Sequence, residues 1–192
     1  DFDKARIIVW EMLELLSLDL VEKGLVTNQI VLTIGYDIEN LTNPEISKYY
    51  SGEVKTDHYG RKIPKHAHGT ANIDRQTSST RLITDATLKL YDEIVDKKLL
   101  IRRVTIAANN LILEKNIKEK QHYEQLDLFT DYDELDAKRE KENAALQKER
   151  KIQEAMIDIK SRYGKNAIIK GTNLQEGATS IERNKQIGGH KA

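Results

Sequence analysis

Three histidines lie close together in the sequence, and imidazole is a common zinc ligand. His58, His66 and His68 fall within eleven residues, and the last two share a face if their segment is a strand. No carboxylate or cysteine completes a ligand set at a typical spacing, and Lys62 and Lys65 would repel a cation. The pattern favours surface histidines, with a metal-dependent enzyme as an alternative.

A run of hydroxyl side chains, TSST at residues 77–80, precedes Arg81 and a helical pattern. Hydroxyl side chains suit a helix N-cap, and the free N–H groups at a helix N-terminus bind anions such as phosphate. Residues 48–82 carry seven basic and three acidic side chains, a local net charge of +4. The run therefore predicts a helix cap, and its surroundings predict phosphate contact at the same place.

Tyrosines and basic residues mix in the polar segment that follows the first predicted strand. Aromatic rings beside arginine or lysine can stack on nucleic-acid bases. These rings follow no regular spacing, so packing of tyrosine along a loop is the stronger interpretation. The residues are Tyr36, Tyr49, Tyr50 and Tyr59, near Lys48, Arg61 and Lys62.

Arg102 and Arg103 occupy successive positions of an alternating segment, so their side chains should point to opposite faces of a strand. We expect one of them at an open sheet face. The sequence has no GxxxxGK phosphate loop, no GxSxG nucleophile motif and no paired carboxylates at a strand end. Its acidic residues follow helical faces, where charge normally provides solvation. The sequence therefore predicts no catalytic centre.

An apolar pentapeptide, QLDLF, stands in a polar segment between the last predicted strand and a long charged helix. Its apolar side chains have acidic neighbours and no other apolar segment beside them. Two interpretations are open: the side chains pack back on the domain, or they bind another protein. The residues are Gln125, Leu126, Asp127, Leu128 and Phe129.

The elements that must position these residues follow the order α-β-β-α-β. Residues 5–24 and 81–98 have the apolar spacing of helices. Residues 26–37 and 99–111 alternate as strands do, and residues 65–75 form a weaker strand. These patterns predict an α+β fold, with two helices on one side of a small antiparallel or mixed sheet.

Residues 133–163 have an uninterrupted helical composition, and only the end of this segment has an apolar stripe. The stripe is shorter than a coiled coil requires, so an interaction adaptor acting through a coiled coil is the alternative interpretation. Residues 164–192 hold five glycines and little periodicity, which predicts a mostly flexible tail. The stripe consists of Ile152, Met156, Ile159 and Tyr163.

The composition fits one or two domains. The chain has 192 residues, 39% hydrophobic and 32% charged, with 31 basic and 31 acidic side chains. It has no cysteine, which agrees with a reducing compartment and excludes thiolate metal sites. No apolar run reaches the ~18 residues of a membrane span, and no signal peptide is visible. Because the first residue is Asp1 rather than Met, we expect a fragment of a longer chain.

These segments together resemble the little-finger (polymerase-associated) domain of Y-family translesion DNA polymerases of the bacterial DinB/UmuC type. The resemblance covers residues 4–113 and rests on the order α-β-β-α-β, the strand LLIRRVTI, and HGTANIDR followed by TSST. The segments WEMLELLSLDLVEKGLVTNQIVLTIGYD and GRKIPKHAHGTANID, and the tail from RYGKNAIIKG to ERNKQIGGHKA, are similar to the Gram-positive branch. In that family two helices cover one face of a four-stranded sheet, and the opposite face lies on DNA.

The resemblance implies a domain with its first strand missing, because that strand would precede Asp1. It implies a little-finger domain over 1–113, a linker with a clamp-binding motif over 114–132, a helix over 133–163 and a tail over 164–192. The palm, with its Mg²⁺-binding carboxylates, is missing from the sequence. We therefore expect no polymerase activity and no cofactor in this fragment.

The resemblance also implies backbone contacts with primer-template DNA, which position the duplex without reading its sequence. Such binding weakens steeply with salt. The residues that fall on the DNA-facing stretch are Arg61, Lys62, Lys65, His68, Thr70, Asn72, Arg75, Thr77, Ser78, Ser79, Thr80, Arg81 and Arg103.

In the same family a pentapeptide of the QLDLF type, in a tail after the little finger, binds the bacterial sliding clamp. The resemblance therefore implies that Leu128 and Phe129 enter an apolar pocket of the clamp, with Gln125 in a side pocket. The partners it implies are duplex DNA and the clamp, for a monomer without membrane contact. Its setting would be DNA damage bypass, replication and the SOS response in the bacterial cytoplasm, at the nucleoid.

Overall fold

The computed structural model describes residues 1–48, 50–117, 132–187 and 190–191. Two 3-10 helices span Glu114–Asn116 and Gly171–Leu174. In chain order the helices and strands are α1 (Phe2–Glu22), β1 (Leu25–Tyr36), α2 (Glu39–Thr42), α3 (Pro44–Ser47), β2 (Val54–Thr56), β3 (Lys62–Pro64), β4 (Ala67–Thr77), α4 (Thr80–Ile94), β5 (Ile101–Asn109), β6 (Ile112–Leu113), α5 (Tyr132–Tyr163), α6 (Ser180–Arg183), β7 (Gln186–Ile187) and β8 (His190–Lys191).

The main sheet is antiparallel and has β1 at its centre, with β4 on one side and β5 on the other. The short β6 pairs with the start of β1. At the middle of the sheet, Thr33 of β1 lies opposite His68 of β4 and Thr105 of β5. No fourth long strand lies within the described ranges, and the order α-β-β-α-β that the sequence predicts is confirmed.

The hydrophobic core lies between one face of the sheet and the two helices α1 and α4. Ile30, Leu32 and Ile34 alternate along β1, and all three are fully buried. Leu13 of α1 and Ile83 of α4 pack against them in the same cluster. The buried face of the strand and the apolar faces of the two helices therefore pack together in one α+β arrangement, as the sequence predicts.

The segment between β1 and β4, which the sequence predicts as a polar loop, contains α2, α3 and the hairpin β2–β3. Asn40 of α2 is fully buried and explains why the segment is ordered. Its side-chain amide donates to the carbonyl of Leu100 at 2.9 Å and accepts from the Leu100 N–H at 2.8 Å. The buried Asn40 side chain thus joins α2 to the backbone just before β5, where the Leu100 carbonyl also accepts the Asp37 N–H.

Helix α5 returns to the domain and packs against α1. Met156 is buried there, but Ile152 and Tyr163 of the predicted stripe are exposed. The buried residue beside Met156 is the polar Gln153, so the contact surface differs from the predicted apolar stripe. Because Met156 packs on the chain's own domain, it is not available to a partner helix, and the coiled-coil interpretation is weakened.

The segment after α5 folds against α1 instead of lying free of it. Glu11 of α1 is fully buried, and its carboxylate accepts hydrogen bonds from the N–H groups of Thr179 and Ser180 at 3.0 and 3.1 Å. Arg183 and Asn173 also donate to it, at 3.0 and 3.2 Å. The sequence predicts a mostly flexible tail, and the structure differs. Polar anchors of this kind leave no apolar periodicity in the sequence, so the pattern does not reveal them.

Among the described helices, none is both long enough and apolar enough to cross a membrane.

Candidate nucleic-acid interface

The face of the sheet opposite α1 and α4 carries polar side chains that are exposed or half-buried. Alternation along each strand sends one set of residues to the core and the other set to this face. We call this surface the open face. Its residues are Gln29, Val31, Thr33, His68, Thr70, Asn72, Arg103, Thr105, Ala107 and Asn109.

Hydrogen bonds across the strands order the open face. The Gln29 side-chain amide donates to Asn72 at 3.0 Å and accepts from Asn109 at 3.1 Å, which joins all three strands. Two rows further along, Thr33 Oγ1 and His68 Nδ1 lie 2.8 Å apart. The result is a nearly neutral surface of amides and hydroxyls with fixed positions, suited to hydrogen bonding with phosphate and sugar oxygens.

Arg103 stands at one end of the open face, beside the hairpin β2–β3. A cavity of about 250 Å³ lies between the hairpin tip and β5, and Arg61, Arg102 and Arg103 all line it. The sequence predicts opposite faces for the two successive arginines. They reach one cavity because the pairing of β1 with β5 shifts register between Gly35 and Tyr36.

Two of the predicted basic residues pair with acidic neighbours at the hairpin. Arg61 Nε donates to Asp57 at 2.8 Å, and this hydrogen bond holds the pKa of Asp57 below its ordinary value. Lys65 Nζ lies 2.7 Å from Glu53 Oε2. These pairs reduce the positive charge that the sequence assigns to the segment, so Arg103 becomes the main cation facing the sheet surface.

The structure separates Tyr36, Tyr50 and Tyr59, which the sequence groups together, and Tyr49 lies outside the described residues. Tyr36 is buried and accepts the Asp96 N–H at 3.0 Å, and Tyr50 donates to the Glu53 carbonyl at 2.6 Å. Tyr59 is 79% exposed at the hairpin tip, with the Arg61 guanidinium 5.2 Å from its ring. Packing therefore accounts for two of the rings, while Tyr59 keeps the geometry of a stacking side chain.

The three histidines do not converge. His58 lies edge-on to Tyr59 in the hairpin, and His68 is bonded to Thr33 on the open face. His66 lies near His68, with ring centroids 6.3 Å apart. Within the described parts of the chain, no group of three His, Cys, Asp or Glu side chains is placed to hold a metal ion.

The TSST run lies at the junction of β4 and α4, where it forms the predicted cap. Ser79 is the N-cap of α4, and its hydroxyl accepts the Leu82 N–H at 3.2 Å. We call this surface the α4 edge, and its residues are Arg75, Thr77, Ser78, Ser79, Thr80 and Arg81. Except for the two arginines, these residues are buried.

A carboxylate from α5 lies at the α4 edge, where the sequence predicts a phosphate. Glu149 accepts from the Ser79 hydroxyl at 2.6 Å and from the Arg81 N–H at 2.9 Å. Gln153 donates to the Ser78 carbonyl at 2.9 Å and to the Thr80 hydroxyl at 3.0 Å. The anion-binding geometry is therefore present, and a residue of the same chain fills it.

Two further arginines tie α5 to the same edge. Arg150 donates to the Ser78 hydroxyl at 3.1 Å and to Glu114 at 2.9 Å. Arg75 of β4 lies 3.6 Å from Glu142. Sequence reasoning misses these α5 partners because nothing in a charged helix marks which of its residues contact a domain.

The predicted DNA-binding residues thus divide into three groups. His68, Thr70, Asn72 and Arg103 share the open face, while Arg61, Lys62 and Lys65 lie at or beside the hairpin. The remaining six form the α4 edge beneath α5. The pentapeptide at 125–129 lies outside the described residues.

A family model places this fold among known proteins. The model described as the impB/mucB/samB family C-terminal domain matches residues 1–128. Searches of curated proteins and of solved structures gave no match. Since the matched region covers the sheet, both of its covering helices and the open face, the chain belongs to the impB/mucB/samB family, and residues 1–128 correspond to the little-finger region of its Y-family DNA polymerases.

Proposed function

We propose that this chain is the non-catalytic DNA-binding part of a bacterial translesion polymerase. It holds primer-template duplex by its backbone, on the open face, during the bypass of damaged DNA in the cytoplasm. The observation that carries the proposal is the ordered row of Asn72, Gln29 and Asn109 across three strands. Arg103 stands at the opposite end of the same face. The face is polar and accessible, whereas the opposite face is the hydrophobic core.

The chemistry of the open face suits a polymerase that must accept distorted templates. Amides and hydroxyls donate to phosphate and sugar oxygens, which are the same for every base pair. One arginine adds electrostatic attraction without a dense cationic patch. We therefore expect modest affinity, little sequence preference and a shallow but measurable weakening of binding as salt increases.

Fluorescence anisotropy with a labelled primer-template duplex tests this proposal. The Kd should rise as salt increases, and duplexes of unrelated sequence should bind equally well at one salt concentration. In a plot of log Kd against log salt concentration, each phosphate that the protein neutralises contributes about one to the slope. Absence of binding at low salt, or binding without salt dependence, would contradict the proposal.

We also propose that the pentapeptide at residues 125–129 tethers the polymerase to the sliding clamp. Leu128 and Phe129 would each contribute about 1.5–3 kcal/mol by leaving water for an apolar pocket, before the cost of ordering the segment. Such a tether is weak alone. It becomes effective when the same chain also holds DNA, because the second contact is then intramolecular.

Titration with purified bacterial sliding clamp tests the tether. Replacement of Leu128 and Phe129 by Ala should abolish measurable binding. The matched control is replacement of Leu111 and Leu113 by Ala, two exposed leucines before the linker. If the chain with Leu128→Ala and Phe129→Ala binds the clamp as well as the control, the pentapeptide is not the tether.

A further inference from the structure

The α4 edge is built as a receptor for an oxyanion. Two donors, the Ser79 hydroxyl and the Arg81 N–H, point at the two oxygens of one carboxylate. They stand at the N-terminus of the 15-residue helix α4, where the helix dipole favours negative charge. A phosphodiester presents the same pair of anionic oxygens, so it can use the same donors.

A second acidic side chain of α5 approaches the same edge. Glu142 lies seven residues before Glu149 on the helix, and its carboxylate is 3.6 Å from Arg75. Two helical turns separate the two residues, a distance of about 10 Å along the axis. Helix α5 therefore offers negative charge to the first and the last residue of the α4 edge.

The contacts that hold α5 at this edge are mainly polar. Among the α5 side chains that the structure describes, Met156 is the one buried hydrophobic residue, and the polar Gln153 is buried beside it. The hydrogen bonds of Glu149 and Arg150 involve charged groups and are stronger than neutral ones, but a competing anion can replace the Glu149 carboxylate at the same two donors. Because little apolar surface holds α5 at this edge, such an exchange can release the helix.

The cover is complete at the hydroxyl run. Ser78, Ser79 and Thr80 are only 6%, 7% and 6% exposed, and each contacts a residue of α5. A DNA phosphate cannot reach these groups while Glu149 is bound. The open face has no such contact with α5 in the hydrogen bonds of the described residues.

We infer that Glu149 is an internal competitor of DNA: the docked α5 is an autoinhibitory contact, and a duplex phosphate replaces the Glu149 carboxylate when α5 leaves the α4 edge. The inference rests on the proposed DNA binding. The protein then has two states. With α5 docked, only the open face contacts DNA and the affinity is low; with α5 released, the α4 edge contacts DNA as well and the affinity is higher.

Two alanine variants of the full chain test the competition. Glu149→Ala removes the competitor, and Asp158→Ala removes a carboxylate from the same helix whose partner, Arg162, also lies on α5. Both variants change the net charge equally, so general attraction to DNA is matched. Glu149→Ala should bind duplex DNA about fivefold more tightly than Asp158→Ala at the same salt concentration.

Spin labels provide a second measurement that does not depend on affinity. The chain has no cysteine, so single labels can be placed at Ala144 of α5 and Glu93 of α4, both exposed. Addition of duplex DNA should lengthen and broaden the distance distribution between them. An unchanged distribution at saturating DNA would overturn the competition.

The outcomes separate the inference from the proposed function. If neither the unmodified chain nor Glu149→Ala binds duplex DNA at low salt, the DNA-binding function itself fails. If the unmodified chain binds with the expected salt dependence but Glu149→Ala binds no better than Asp158→Ala, only the competition fails. Weaker binding by Glu149→Ala would show that docked α5 assists DNA binding, which also overturns it.

Discussion

The open face and the α4 edge have similar residues and opposite environments. Both carry hydroxyl side chains beside an arginine, and both are suited to a phosphate. Thr70 and Asn72 on the open face are exposed, whereas Ser78 and Ser79 on the α4 edge are buried under α5. At the α4 edge, donors that could bind an external anion instead bind a carboxylate of the same chain.

The largest effect should follow from loosening the segment that anchors the end of α5. Glu11→Gln removes the buried charge that pairs with Arg183, and breaking such a pair costs about 3 kcal/mol. Urea unfolding measures this loss of stability. Under mild conditions the variant should uncover the α4 edge and leave the open face intact.

Glu176→Gln is the matched control. Glu176 lies in the same tail and also pairs with a residue of α1, Lys4, but its side chain is highly exposed. The free energy of unfolding should change little in this variant. Equal effects of the two substitutions would show that Glu11 is no anchor and that burial of its carboxylate has no special role.

The stability that Glu11 provides should depend on pH. Burial alone would raise the pKa of Glu11, but hydrogen bonds from Thr179, Ser180 and Asn173 together hold it below its ordinary value. A lowered pKa in the folded state means that this contribution is present at neutral pH. It is lost as the pH falls through the folded-state pKa.

Urea unfolding at several pH values measures this dependence. The difference between the unmodified chain and Glu11→Gln should be constant around neutral pH and should shrink in acid, below the ordinary range for glutamate. A difference that grows as the pH falls would mean that burial dominates and that the pKa of Glu11 is raised.

A negative charge on the open face should weaken the binding of duplex DNA there. Thr105→Glu places a carboxylate at an exposed position of β5, directly across from Thr33. Repulsion of phosphate should weaken duplex binding about tenfold. Gln175→Glu, on the tail that packs against α1, adds the same charge at an exposed position on the helical side and should change the Kd by much less.

A smaller effect should follow from removing the cation at the end of the open face. Arg103→Ala should weaken binding about threefold and lower the salt slope by about one, equally for duplexes of any sequence. Arg139→Ala, on the exposed start of α5, is the control for loss of one positive charge. A sequence-dependent loss would instead assign Arg103 to base contact.

The sheet and the open face could be predicted from the sequence because their causes are local. Alternation of Ile30, Leu32 and Ile34 fixes which face of β1 is buried, and the residues between them then face outward. The TSST run likewise identifies the start of α4, since a serine or threonine oxygen readily accepts a free N–H of the first helical turn.

The cover over the α4 edge could not be predicted in this way. Ser79 and Glu149 are 70 residues apart, and Glu149 is one of many acidic residues on a charged helix. Glu11 shows the same limit, because an acidic residue inside an apolar helix does not reveal that its partners lie in a distant tail. Long-range polar pairing leaves no period in the sequence.

NMR chemical-shift mapping identifies directly which surface of the domain binds duplex DNA. At low salt, the backbone signals of Thr33, Thr70 and Thr105 should shift on addition of DNA. The indole signal of Trp10, the single tryptophan, should stay in place because α1 lies on the other side of the sheet. Shifts at Trp10 without shifts on the open face would show that DNA binds the helical side and not the open face.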